Sequence, residues 1–155
     1  MRRFNCYAHV HMEYYRKTSH TVFDCTYHIV WITKYRYSVL VGDIGVRVSD
    51  LVRQICQENQ VEILRGNVTR NHVHIYVSIP PYLSVSKLVQ YLKGKTSRKI
   101  QQEFPELRKK YWGQHLWATG YFVRTAGNVT DQIIKDYIDK HQGKDDKYGD
   151  FQVGK

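Results

Sequence analysis

Cysteine is scarce in this 155-residue chain. Cys6, Cys25 and Cys56 are odd in number, widely spaced and without a C-x-x-C, which excludes both a disulfide framework and a zinc knuckle. No apolar run approaches the roughly 18 residues that a membrane-spanning helix needs. The opening stretch "MRRFNCYAHVHMEYY" is basic, but its apolar residues are too scattered for a signal-peptide core, so a soluble cytoplasmic protein is expected. No internal repeat is present. Acidic residues are also few, 14 against 24 Lys and Arg, which leaves a net charge of +10. Such an excess favours a polyanionic partner, nucleic acid first and an anionic membrane surface second.

What remains is globular in composition, 42% hydrophobic and 25% charged, and of a length that suits one domain with a sizeable core. Tyrosine stands out with 13 residues, enough to make exposed aromatic rings expected as well as buried ones. Residues 1–20 are polar and irregular and read as an N-terminal arm. "TVFDCTYHIVWITKYR" (21–36) is rich in β-branched and aromatic residues and predicts a long strand. "DIGVRVSDLVRQICQEN" (43–59) spaces Val48, Leu51, Val52, Ile55 and Cys56 as one face of a helix. "VEILRGNVTR" (61–70) and "HVHIYVSIP" (72–80) predict two strands joined by a tight turn at Arg70-Asn71, the second stopped by Pro80-Pro81. Ser84 is placed to cap a helix over 84–104, which Pro105 ends. After a short basic segment, "LWATGYFVRT" (116–125) predicts a last strand. "NVTDQIIKDYIDKHQ" (128–142) predicts a terminal helix with Asn128 as its N-cap. The tail from 143 to 155 is rich in Lys, Asp and Gly and is expected to be flexible. The order β-α-β-β-α-β plus one helix is the split, ferredoxin-like α+β pattern, an antiparallel sheet with two helices on one face. A single domain over 21–142 follows.

Strand alternation sets His72, His74 and Tyr76 on one face and Val73, Ile75 and Val77 on the other. If the aliphatic face packs on the helices, two imidazoles project side by side from the open face, as a pair of metal ligands would. An H-x-H alone is more often polar strand decoration, and His9-Val10-His11, with no strand pattern around it, is read that way. On the terminal helix Tyr137 and His141 are i and i+4, neighbours on one face. A core tyrosine on an amphipathic helix is the plainer reading. A phenol, with a pKa near 10, is a poor nucleophile at neutral pH. A metal that polarises a phosphate, or a base, would make it competent.

Cations cluster at three places, the first interleaved with aromatics. "TKYRY" (33–37) carries Lys34, Tyr35 and Arg36; "KGKTSRK" (93–99) carries Lys93, Lys95 and Arg98; "RKK" (108–110) adds three more. Neutralised phosphates and stacked bases suit such clusters to single-stranded nucleic acid. Gly94 inside a helix costs about 1 kcal/mol against Ala, which is explained if a backbone approaches closely there.

The ordered segments "YHIVWITKYRYSVLVG" (27–42), "NHVHIYV" (71–77), "KLVQYLKGKTSRKI" (87–100), "YWGQHLWATGYFV" (111–123) and "VTDQIIKDYIDKHQ" (129–142) resemble the single-tyrosine HUH transposases of small bacterial and archaeal insertion sequences, including the REP-associated relatives. The resemblance implies that His72 and His74 are the HUH pair holding Mg²⁺ or Mn²⁺, and that Tyr137 is the nucleophile. It implies a third metal ligand four residues after the tyrosine, where family members usually carry glutamine. This chain has His141 there and Gln142 next, and helical spacing favours His141. It further implies cleavage and rejoining of hairpin-bearing single-stranded DNA at insertion-sequence ends, through a 5′-phosphotyrosine and a free 3′-OH. The protein would act as a homodimer, in many members with composite active sites. Two other readings compete. One is a non-catalytic ferredoxin-like module binding RNA or single-stranded DNA, against which the missing aromatic RNP signature counts. The other is a nuclease using the H-x-H metal with water as nucleophile.

Overall fold

The computed structural model describes residues 15–111 and 115–125, together with Tyr137 and Asp139, both helical. The rest of the predicted terminal helix, with His141 and Gln142, lies outside the described residues. So do His9, His11, Cys6 and the tail over 143–155. Chain order is β1 (Arg16–Lys17), β2 (Val22–Phe23), β3 (Thr26–Ile32), α1 (Gly42–Glu58), β4 (Glu62–Thr69), β5 (His72–Ser78), α2 (Val85–Glu103), α3 (Pro105–Lys110) and β6 (Phe122–Arg124). The main sheet runs β4-β5-β3-β6 with every neighbouring pair antiparallel. This is the ferredoxin-like α+β arrangement.

Alternation decides which sheet face is buried. Ile29 and Trp31 of β3, in register with Ile75 and Val73 of β5, join Val48, Leu51, Val52 and Ile55 of α1 and Leu88, Val89, Leu92 and Ile100 of α2 in one core. The other face presents His28, Val30 and Ile32 beside Tyr76, His74 and His72. A helix pair with a single apolar stripe each can cover only one side of the sheet, which leaves that second face for chemistry. Ser84 caps α2 as expected, its hydroxyl accepting from the Lys87 N–H at 3.2 Å.

Three elements differ from the pattern reading. The first long strand is broken: Val22–Phe23 pairs with Arg16–Lys17 as a small hairpin, and β3 ends at Ile32. There the chain turns through a 3-10 segment at Lys34–Arg36, with Tyr35 (φ 57°) and Arg36 (φ 51°) left-handed. The Lys34 N–H still donates across to Leu116 O at 2.8 Å, but the Arg36 N–H turns back to Thr33 O at 3.0 Å, a local bond that a continuing strand could not make. The last strand is trimmed to Phe122–Arg124, with one isolated bridge between Thr33 and Trp117, because Gly120 at φ 89° breaks the run. The basic segment after Pro105 is helical, with proline in the first turn, where its missing N–H costs nothing. The end of the expected arm is anchored as well, since the Arg16 guanidinium donates to Ser78 O and Gln60 O at 2.9 Å each.

Candidate active site and nucleic-acid groove

His72 is 2% exposed at the start of β5. Its Nδ1 lies 2.6 Å from Thr69 Oγ1 and 3.1 Å from Asn71 Oδ1. The threonine hydroxyl donates its own proton to His72 O at 3.1 Å, and an amide oxygen can only accept. Nδ1 therefore carries the proton and Nε2 the lone pair. Burial, and secondarily His74, lower the His72 pKa to about 4, so the ring is neutral at pH 7. A neutral imidazole whose far nitrogen is held by a hydrogen bond is the form in which histidine binds metal.

His74, two residues on and half-buried, has its Nε2 3.1 Å from His28 Nδ1. The His28 ring in turn stacks on Tyr76, with centroids 4.3 Å apart and planes 12° from parallel. Sequence reasoning missed His28. The available signal was the alternation of Tyr27, Ile29 and Trp31, which sends the residue between them to the open face.

Tyr137 packs on this same face. It lies against Val30, Ile32, Ala118 and Phe122, with its ring 5.4 Å from that of Phe122. Val30 and Ile32 are the cross-strand partners of His74 and His72, so the phenol sits over the histidine side of the sheet. Burial pushes its pKa up to about 12, which leaves a neutral phenol in need of activation. Among the described residues no cluster of three or more His, Cys, Asp or Glu side chains forms a metal site. The expected third ligand, His141, lies outside them. The neutral, tautomerically fixed His72 with His74 beside it fits two positions of a divalent centre.

Next to this face, α2 and the segment 115–120 enclose a groove of about 750 Å³. Lys34, Lys93, Arg98, Arg108 and His115 line it, and among the described residues no acidic side chain does. The segment is pinned from several sides. The Ala118 N–H donates to Ile32 O at 3.0 Å, Trp117 Nε1 to Thr96 Oγ1 at 2.9 Å, and Lys93 Nζ to Ala118 O and Gly120 O at 2.7 and 2.9 Å. Ala118 also touches the cluster under Tyr137, so a single stretch of backbone separates groove from histidine face.

The expected cations divide. Lys34, 5.2 Å over the Tyr35 ring, and exposed Arg98 line the groove. Lys93 lines it too, although two of its protons serve carbonyls and burial lowers its pKa. Lys95 faces the other way, paired with Glu58 at 3.2 Å. Arg36 is buried at 8% exposure beneath the turn that Tyr35 makes, so it presents no surface charge. His115 was missed; an isolated histidine in a loop carries no periodic signal.

A ferredoxin-like sheet bearing paired histidines, with a helical tyrosine over them and a cationic groove alongside, defines a class of nucleic-acid-processing protein. The sequence model of the IS200-like transposases matches residues 21–141, and the chain belongs to that family. It is 38% identical over 135 residues to the transposase for insertion sequence element IS200 of Salmonella typhimurium, a match spanning 87% of this chain and 88% of that one. It is 33% identical over 124 residues to the ISDra2 transposase TnpA of Deinococcus radiodurans, covering 80% of this chain and 89% of the relative. A crystal structure of a Deinococcus radiodurans protein assigned to the transposases superposes with a TM-score of 0.75 at 32% identity, covering 81% of this chain and 96% of that chain. A REP-associated tyrosine transposase bound to a REP hairpin shares the fold, with a TM-score of 0.53 at 15% identity over 82% of this chain and 74% of that one.

Proposed function

We propose that this transposase cleaves and rejoins single-stranded, hairpin-bearing DNA at insertion-sequence ends through a covalent bond to Tyr137. The observation that supports the reading is that Tyr137 packs on the sheet face that carries His72 and His74, beside a groove whose described charged residues are all basic. The Tyr137 phenol gives its proton to solvent as its oxygen attacks phosphorus, the bond to the 3′ oxygen breaks, and that oxygen takes up a proton from solvent and leaves as a 3′-OH. The phosphate stays on the tyrosine as a 5′-phosphotyrosine. Attack by another 3′-OH reverses the step and joins new ends, so no external energy source is needed. His72 and His74, with His141 as third ligand, would hold Mg²⁺ or Mn²⁺, which supplies Lewis-acid polarisation of the scissile phosphate. Lys34, Lys93, Arg98 and Arg108 would hold the strand's phosphates. The chain would act as a homodimer.

The non-catalytic binding module is disfavoured because the Tyr76 ring is already stacked on His28 rather than offered to a base. A water-based nuclease predicts no adduct. Incubation with a hairpin substrate and Mn²⁺ should give a denaturation-resistant protein–DNA adduct whose peptide map ends on Tyr137. Tyr137→Phe should bind DNA without forming it, and Tyr76→Phe should form it. His141→Ala should weaken metal binding more than Gln142→Ala. DNA attached to any other tyrosine, or full cleavage by the His72→Ala/His74→Ala double variant, would overturn the assignment.

A further inference from the structure

We propose that His28 is a positioning residue for His74, fixing its ring and its tautomer for metal binding; this rests on the metal reading above. The antiparallel register sets His28 directly opposite Tyr76 and diagonal to His74. Diagonal side chains on one face of a sheet lie within reach of rings of this size. The two imidazoles meet at a ring separation of 5.4 Å and a tilt of 42°, with His28 Nδ1 and His74 Nε2 3.1 Å apart. Two ring nitrogens at that distance share one proton, one donating and the other accepting. When His74 Nε2–H donates to His28 Nδ1, the lone pair of His74 is placed on its Nδ1, available to a cation. His28 then does for His74 what Thr69 and Asn71 do for His72, by a different route: it takes the proton of the non-ligating nitrogen. Stacking on Tyr76 stops the His28 ring from rotating out of this contact.

Val30, the cross-strand partner of His74, and Ile32, the partner of His72, have no polar atom to offer. The two ligating histidines would thus be held by separate devices, one in the turn before β5 and one on the neighbouring strand.

Two substitutions isolate the hydrogen bond from the packing. His28→Phe keeps a ring on Tyr76 and removes the acceptor. His28→Asn loses the ring but returns an oxygen near the position of Nδ1. Mn²⁺ binding is measured by calorimetry without DNA, so the readout does not depend on turnover, with melting temperature and hairpin affinity as folding controls. We expect His28→Phe to weaken Mn²⁺ binding about 10- to 100-fold, the usual effect of losing an outer-shell partner, and His28→Asn to recover most of that loss. Unchanged Mn²⁺ affinity in His28→Phe overturns the proposal while leaving the metal site intact. Equal loss in both variants assigns the effect to ring packing and overturns it also. If the unsubstituted protein and His72→Ala bind Mn²⁺ equally poorly, the metal reading itself fails, and the inference with it.

Discussion

With 2% of its surface exposed, His72 is driven towards the neutral form by burial, and His74 beside it adds to that push. The His72 pKa of about 4 when folded lies below the ordinary value of 6.5, so between these limits the unfolded chain binds more protons than the native one. Stability of the metal-free protein should therefore be complete above pH 6.5 and fall as the pH drops towards 4. The His72 share of that loss is at most about 3 kcal/mol. Denaturant melts of the wild type and His72→Gln at pH 7 and pH 4.5 should show a smaller acid loss in the variant; equal losses would contradict a buried neutral ring. The pairing of His72 with His74 was legible because alternation with Val73 and Ile75 is a strong signal. His28 was not, since one histidine between apolar residues predicts nothing until the register sets it beside a second strand. Cation roles were illegible for a similar reason. Lys95 and Arg98 are three residues apart, yet one meets Glu58 and the other the groove.

At the scale of elements, Gly94 separates stability from function. It lies in the middle of α2, with nothing within 4 Å of where a Cβ would stand, and it lines the groove. Gly94→Ala should stabilise the helix by about 1 kcal/mol, because alanine loses less backbone freedom on folding. If a DNA backbone passes over Gly94, the same methyl should cost affinity. A higher melting temperature with weaker hairpin binding is the expected result; a higher melting temperature with unchanged binding would take the strand elsewhere in the groove. Gly45 behaves oppositely. A Cβ there would sit 2.7 Å from Leu40 O, a backbone atom that cannot step aside, so Gly45→Ala should lower the melting temperature. Helix limits and the Arg70-Asn71 turn were readable from caps, prolines and periodicity. The end of β3 was not, because the turn there puts Tyr35 and Arg36, residues with no turn preference, in the left-handed region and closes with the Arg36 N–H on Thr33 O.

For the whole molecule, the net charge of +10 is focused by the basic groove, so hairpin affinity should fall steeply with salt as phosphate contacts release counterions. Lys34→Ala and Arg98→Ala should each reduce that slope by about one unit, whereas Lys95→Ala should leave it nearly unchanged because Lys95 is paired with Glu58. Assembly gives the sharpest test of how the site is built. Tyr137 rests on Val30 and Ile32 of its own chain, which supports a site made within one subunit, whereas the family resemblance implies a tyrosine that serves the partner. In a homodimer these arrangements give opposite results when Tyr137→Phe and His72→Ala subunits are mixed. If each site is composite, the heterodimer joins the intact tyrosine of one chain to the intact histidines of the other, and cleavage returns at about half the wild-type level per dimer. If each site is internal, every site in the mixture lacks one part and cleavage stays absent. Light scattering at micromolar concentration establishes the dimer, and differently tagged subunits confirm the heterodimer. From the contacts of Tyr137 we expect no recovery, and restored cleavage would show that the terminal helix is exchanged between subunits when DNA is bound.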